Sequence, residues 1–380
     1  MKNNKYEIDM CNGTLMDKLI SFALPLMLSG MLQLMFNAVD IIVVGRFTGS
    51  TALAAVGSTT ALISTFTNLF IGVSLGANVL AARFYATGKA KEMSETVHTA
   101  IALAAISGVV MCIIGIAAAR EALVLIDTPD DVIGQAALYL RLYFCGMPFF
   151  MLYNYGAAIL RAVGDTKRPL MYLIIAGSTN AVLDLVLVII FKMGVAGVAI
   201  GTVTSQLISC ILVIRCLMTT ESDYKLRIRD LRIRKYYLLQ ILSVGLPAGI
   251  QSTVINFSNV LLQSSVNSFG EIAMAGYTAA NNILGFLYVS VNSITQACMS
   301  FTSQNYGVRK FKRMDKVLID CMILSVIVSV VIGGGSYILG RQILGIYTNQ
   351  SEVIECGMEI LSISTIPYFL CGIMDMLPGA

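Results

Sequence analysis

Asp40, Tyr139, Asn180, Asp184 and Thr202 carry groups that together could bind and exchange a cation. Two carboxylates, an amide and two hydroxyls are hard oxygen donors, suited to a proton or a light metal ion. Each lies inside an apolar run long enough to cross a bilayer. A charge embedded in such a helix costs at least roughly 2.5 to 3.5 kcal/mol, so it normally faces protein or a wet cavity. Asp40 lies about six residues, roughly 9 Å, from the outer end of its span, and Asp184 about eight residues, roughly 12 Å, from the outer end of its own. The two depths match. Asn180 is one turn below Asp184 on the same helical face, while Tyr139 and Thr202 reach similar levels on spans running the other way. Singly, Asp40 reads as a snorkelling carboxylate and an Asn or Thr as interhelical glue. Jointly, two acids and an i,i+4 amide at one depth point to an ion or proton site, and the five residues are expected to converge in one pocket.

The elements that must position them are membrane helices. Hydrophobic residues make up 57% of the 380 residues and charged ones only 13%, with a mean hydropathy of +0.79. Soluble domains have roughly 45 to 50% apolar residues, so a soluble core is excluded. Apolar runs between charged breaks fall near residues 18 to 45, 52 to 82, 95 to 119, 132 to 160, 169 to 191, 195 to 217, 238 to 267, 273 to 303, 316 to 340 and 356 to 378. Each reads as one span, giving an all-α integral membrane protein.

Lys and Arg collect in alternate loops. One side gathers Lys2, Lys5, Lys18, Arg83, Lys89, Lys91, Arg161, Lys167, Arg168, the run from Arg215 to Lys235, and Arg309 to Lys316, whereas the other has Arg46, Arg120, Lys192 and Arg341. The basic side is expected to be cytoplasmic, N-terminus included. The opposite loop after the third span is acidic, with Glu121, Asp127, Asp130 and Asp131. The N-terminus has no small-residue cleavage site, so no cleaved signal peptide is expected and the chain reads as a multi-pass protein of a bacterial inner membrane. The basic stretch KLRIRDLRIRKYY joins two spans and reads as a juxtamembrane connector touching anionic lipid, not as a nucleic-acid-binding segment.

The chain repeats itself. LPLMLSGMLQLMFNAVDIIVVGRF from residue 24 pairs with LPAGIQSTVINFSNVLLQSSVNSF from residue 246, placing Pro25 on Pro247, Asn37 on Asn259 and Phe47 on Phe269. ALAAVG pairs with AMAGYT, and YATGKAKEM with QNYGVRKFKRM. Residues 1 to 218 form a first lobe of six spans, 219 to 237 a basic linker, and 238 to 380 a second lobe of about four. An even first copy means parallel repeats, the arrangement that puts a substrate cavity between two lobes. About ten of an expected twelve helices are present, so the second lobe reads as incomplete and the sequence as truncated. The second copy has Leu262 at or beside the place of Asp40, so the acid is not a packing requirement of the fold.

Pro25 and Pro247 lie inside the first and seventh spans, where each removes a backbone hydrogen bond and favours a kink. Met31, Gln33, Phe36 and Asn154 are expected to line a plastic substrate cavity. Arg141 is expected to reach the outer interface, and Asp375 has no assigned role. Nine scattered cysteines without a CxxC pair, and a single His98, indicate neither disulfides nor a metal cluster.

The Pro-bearing first span ending NAVDIIVVGRF, the segment ILRAVGDTKRP at 159 to 169, the NAVLD of the fifth span and the two-copy arrangement resemble the multidrug and toxic-compound extrusion (MATE) family over essentially the whole chain. That resemblance implies a two-lobed twelve-helix exporter that expels cationic amphiphilic compounds in exchange for protons or sodium. It also implies a first-lobe cation site at Asp40, Asn180, Asp184 and Thr202, with Tyr139 a weaker match, and no metal beyond sodium there. Some members carry an acid in span seven; this chain offers Gln251 in that region, so a second sodium site is not expected.

Small organic cations and membrane lipid are the expected partners, with no nucleic acid, no cofactor beyond the coupling ion H+ or Na+, and a monomeric state. The alternative is a lipid-linked oligosaccharide flippase, which would line its cavity with several Arg or Lys. An enzyme is not expected, since no nucleophile is paired with a base.

Overall fold

The computed structural model describes residues 6–126, 128–347, 350–365 and 367–377. Lys2, Lys5 and Asp127, named above, lie outside them, as do residues 378 to 380. The described residues are helical with no strand: α1 (Met16–Phe47), α2 (Ser50–Ala86), α3 (Ala90–Leu125), α4 (Asp130–Cys145), α5 (Met147–Ala162), α6 (Lys167–Leu185), α7 (Val195–Thr219), α8 (Lys235–Asn267), α9 (Glu271–Gly307), α10 (Phe311–Val328), α11 (Gly334–Ile338), α12 (Gly340–Tyr347), α13 (Ser351–Thr365) and α14 (Tyr368–Met376). Two π-helical segments, Val186–Ile190 and Ser329–Gly333, continue α6 and α10.

Eight of these helical stretches are long and apolar enough to cross a bilayer, and α4 with α5 and α13 with α14 form two bent pairs of 46° and 44° that raise the number of spans to 10. The chain is a multi-pass membrane protein. Pro25 and Pro247 lie within the unbroken helices α1 and α8, and the marked bends fall at Gly146 and at the α13–α14 junction.

The repeat is written into the helix ends. At the end of α2 the Lys89 N–H donates to Phe84 O at 3.2 Å, and at the end of α9 the Lys310 N–H donates to Asn305 O at 2.9 Å. Both are six-residue C-terminal closures that need one left-handed residue. Gly88 supplies it in the first copy, φ 65°, and Arg309 in the second, φ 57°.

Packing divides the chain into two compact units. The first comprises Met1–Glu7 and Met35–Asn256, the second Ile8–Leu34 and Phe257–Ala380. The sequence reading placed the division at the connector 219 to 237, whereas these units divide inside α1 and α8. Helices of 32 and 33 residues run close to 50 Å at about 1.5 Å per residue, long enough for their halves to take different neighbours.

Glycines show where the exchanged halves lie. A Cβ on Gly72 of α2 would come 2.2 Å from the Cα of Gly249, and one on Gly76 2.1 Å from Ile241 O. Residues 72 and 76 of α2 therefore cross 245 and 249 of α8 backbone to backbone, a small-xxx-small contact on both helices. In the second unit Gly30 of α1 lies against Val289 of α9, and Phe22 stacks edge to face on Phe301 at 5.6 Å.

The GDTKRP stretch builds a staple in the first unit. Buried Asp165 is ion-paired with Arg168, whose guanidinium also donates to Tyr224 Oη at 3.3 Å and Cys216 Sγ at 3.0 Å. Burial pushes the Asp165 carboxyl above its usual range while Arg168 pulls it back. Tyr224 and Tyr85 both donate to Glu7, at 2.9 and 2.7 Å, and Tyr6 lies under Arg168.

Candidate functional site

All five residues of the expected cation site belong to the first unit. Asp40 comes from the second half of α1, Asn180 and Asp184 from α6, Thr202 from α7 and Tyr139 from α4. Asp184 is fully buried, and Asp40, Asn180 and Tyr139 are nearly so.

The α-helical spacing of four puts Asn180 and Asp184 on one stripe, where the Asn180 amide donates to Asp184 Oδ1 at 3.3 Å. The carboxyl groups of Asp40 and Asp184 face each other at close range, and Thr202 lies beside Asp40. Tyr139 is close enough to interact with both charges. Structure thus brings Asp40, Asn180, Asp184, Thr202 and Tyr139 together.

Hydrogen-bond bookkeeping shows what the pocket lacks. Asp40 Oδ1 and Asp184 Oδ2 are buried without a protein hydrogen-bond partner among the described residues. An ionised carboxylate only accepts, so two facing ones satisfy each other only when a proton lies between them or a cation bridges them. The single Thr202 proton is within reach of Val198 O at 3.0 Å. Spent there, it leaves Oγ1 free to accept.

Close packing fixes the acids. A Cβ on Gly201 would lie 2.2 Å from Asp184 Oδ1 and 3.5 Å from Asn180 Nδ2, so α7 approaches α6 as closely as a glycine permits. Phe36 covers α6 one turn below Asn180, its ring against the backbone of Gly177. Directly after Asp184 and Leu185, α6 widens into the π segment Val186–Ile190, a distortion that recurs at functional sites.

Two further polar residues extend the cluster. Tyr143 and Gln206 are neighbours, Gln206 Oε1 is buried without a hydrogen-bond partner among the described residues, and Tyr143 is near enough to Asp40 to feel its charge. Each sits four residues beyond an expected site residue, Tyr139 or Thr202, which is the signal that could have identified it. Of the expected cavity residues, Phe36 and Asn154 fall in the first unit and Met31 and Gln33 in the second. The Asn154 amide donates to Phe150 O at 2.9 Å. Arg141 is exposed and Asp375 half-buried. No group of three or more His, Cys, Asp or Glu that could hold a metal occurs among the described residues. A sodium ion would have to draw on the two acids with the Asn180 and Thr202 oxygens, a chemically suitable donor set.

The MatE family profile matches residues 25–186 and 247–380. This chain belongs to the MatE family. Among its relatives, the probable multidrug resistance protein YoeA of Bacillus subtilis is 30% identical over 359 residues, covering 92% of this chain and 77% of YoeA. The multidrug export protein MepA of Staphylococcus aureus is 22% identical over 368 residues, covering 95% of this chain and 80% of MepA. Its fold is that of the solved MATE transporters. An outward-facing multidrug resistance MATE transporter of the MOP superfamily superposes with a TM-score of 0.92 at 21% identity, covering 100% of this chain and 85% of that one. A MATE in its straight conformation gives a TM-score of 0.89 at 21% identity, covering 100% of this chain and 86% of that one.

Proposed function

We propose that this MatE-family protein exports small organic, cationic amphiphilic compounds by alternating access, driven by inward movement of H+ or Na+ through the Asp40–Asp184 pair. The observation that carries this reading is the buried pair itself, two carboxyl groups face to face with one oxygen on each lacking a protein partner. The pair has two charge states that differ in their need for a cation. With a proton or a sodium ion bound, the carboxyl groups satisfy one another; without one, two buried negative charges repel and attract a cationic compound. Substrate and coupling ion therefore oppose each other, and linkage makes the effect reciprocal. Names of the relatives, multidrug resistance and multidrug export proteins, support the export reading.

The Lys and Arg bias supports an N-terminus in the cytoplasm and a place in a bacterial inner membrane. The protein acts as a monomer, with no cofactor other than the coupling ion, and transports its substrate unchanged. A lipid-linked oligosaccharide flippase would present arginines and lysines to its ligand, whereas this pocket presents acids.

The test is efflux of ethidium, a planar organic cation, from everted vesicles under an imposed pH gradient and, separately, a sodium gradient. The wild type should transport under at least one gradient and Asp40→Asn under neither, at equal amounts of folded protein. Equal rates for the two proteins would overturn the coupling role of the pair.

A further inference from the structure

Two cysteines of the first unit meet where the bend at Gly146 lies against α3. Cys112 of α3 lies beside Cys145, the last residue of α4, and both are free thiols. Glycine packing fixes the register independently. A Cβ on Gly108 would come 2.6 Å from the Cα of Pro148, and one on Gly115 would run into the Phe144 ring. Cys112, four residues after Gly108 and three before Gly115, is on the same stripe of α3, and Cys145 falls between Phe144 and Pro148 on the facing chain. Ordinary helix pairs keep their axes about 8 to 10 Å apart. Here a glycine lets α3 meet backbone at Pro148, the kind of approach a disulfide needs, since its two Cα atoms must come within about 4.4 to 6.8 Å of each other.

The pair opens to the outside of the helix bundle. Cys145 is exposed and Cys112 half-buried, and Val109, Ile113 and Ile116 around Cys112 are exposed apolar side chains. Cys112 lies about 13 residues, roughly 20 Å, from the Leu125 end of α3, and Cys145 about 15 residues, roughly 22 Å, from the Asp130 end of α4. Both depths fall inside a hydrocarbon core about 30 Å thick, so a reagent dissolved in lipid reaches the thiols more readily than one in water.

A positive charge stands next to them. Arg141 precedes Cys145 by one helical turn and is exposed on the same face. It forms no ion pair with an acid among the described residues. A charge embedded in apolar surroundings is costly, and an unpaired one marks a place where a partner of opposite charge binds. A quinone becomes such a partner as it is reduced, because its oxygens take up electrons before protons and then accept charge-assisted hydrogen bonds from a guanidinium.

We propose that Cys112 and Cys145 form an intramembrane redox site, a dithiol that a lipid-soluble quinone oxidises to a disulfide stapling α3 to α4 beside Gly146. One S–S bond forms and two S–H bonds break, and the two electrons and two protons pass to the quinone, which leaves as the hydroquinone. Arg141 holds the quinone oxygen while it carries negative charge. A thiol reductant reverses the bond. The bridge fastens the end of the helix that carries Tyr139 and Tyr143, but its formation does not depend on the export mechanism proposed above.

Duroquinone is the probe, since its four methyl groups leave no ring hydrogen for a thiol to replace. The full chain in phospholipid vesicles would be treated with duroquinone or with copper–phenanthroline, which oxidises thiols that touch, and then alkylated. Trypsin cuts after Lys91, Arg120, Arg141 and Arg161, leaving each cysteine alone on its peptide, 92–120 and 142–161. Both reagents should join these two peptides through a bond that dithiothreitol breaks. Cys298 and Cys321, also neighbours but fully buried, should stay thiols under duroquinone. Arg141→Gln, read on the longer peptide 121–161, should slow linkage by duroquinone about threefold to tenfold, the effect of one net hydrogen bond. It should leave linkage by copper–phenanthroline unchanged. No linkage by copper–phenanthroline would put the thiols out of each other's reach, and linkage by that reagent alone would exclude the quinone. Equal duroquinone rates in the parent and Arg141→Gln would remove the arginine from the site, and joining of Cys298 to Cys321 as readily would show that the exposed face does not select the pair. Each of these results overturns the proposal.

Discussion

Arg309 occupies the backbone position in the second repeat that Gly88 occupies in the first, at φ 57° and 65°. The left-handed region costs a residue with a Cβ about 1 to 2 kcal/mol. A Cβ on Gly88 would meet no atom within 4 Å, so substitution there reports backbone strain alone. Gly88→Ala should lower the thermal midpoint, and Arg309→Gly should raise it, by up to about 1 kcal/mol less the greater chain entropy of glycine. Scanning calorimetry of the detergent-solubilised chain distinguishes the two. A lowered midpoint in Arg309→Gly would mean that the arginine side chain, not the turn, dominates at 309.

A second asymmetry separates two glycines of α2. A Cβ on Gly72 would come 2.2 Å from the backbone of Gly249, a clash no rotamer change can relieve, whereas one on Gly57 would meet nothing within 4 Å. Gly72→Ala should destabilise by about 1 to 3 kcal/mol as the helices are forced apart. Gly57→Ala should stabilise by roughly 0.5 to 1 kcal/mol through helix propensity. If Gly72→Ala melts no earlier than the parent, the α2–α8 crossing is looser than these distances require.

His98 holds the connector between the two repeats. Its Nδ1 is 2.6 Å from Ser94 O, and its Nε2 accepts the Arg227 N–H at 3.0 Å, a pair of bonds that requires the neutral ring with its proton on Nδ1. Arg232 and Arg234 add ion pairs to Glu95, at 2.6 and 3.1 Å. These exposed pairs are worth little. His98→Ala should therefore loosen the connector by about 1 to 3 kcal/mol, and tryptic cleavage at Arg227 and Arg229 should accelerate about tenfold for each 1.4 kcal/mol. His98→Gln, which keeps an acceptor, should cleave at an intermediate rate. Equal cleavage of all three would place the anchor elsewhere.

Hydropathy made the spans legible, because a bilayer demands about 20 apolar residues whatever their order. It is blind to direction, so the bends at Gly146 and at the α13–α14 junction passed as single straight spans. The meeting of Asp40 with Asp184 was readable from helix rise and the cost of an embedded charge, and Asn180 followed from the spacing of four. Tyr143 and Gln206 carry no charge, so the cost of an embedded charge does not single them out. The glycine pairs at 72 and 76 and at 245 and 249 are plain in the sequence, yet nothing in one helix names the helix it will meet. That α1 and α8 exchange halves between units is a property of packing, which chain order does not encode. The π segments leave no pattern at all, since they depend on where a backbone hydrogen bond slips.

The carboxylate pair makes a prediction about additivity. If Asp40 and Asp184 act through one shared proton or ion, removing either carboxylate destroys the unit, and the second removal has nothing left to destroy. Asp40→Asn and Asp184→Asn should each abolish gradient-driven efflux of ethidium, and the double variant should be no worse than either single one. Independent carboxylates would instead leave partial activity in each single variant and multiply the losses in the double. Asparagine is close to isosteric and retains a hydrogen-bonding amide, so folding should survive, verified by an unchanged gel-filtration profile and thermal midpoint. Asp375→Asn serves as the control, since Asp375 belongs to the second unit. A double variant at least tenfold slower than a measurably active Asp40→Asn would show two separate sites in place of a shared one.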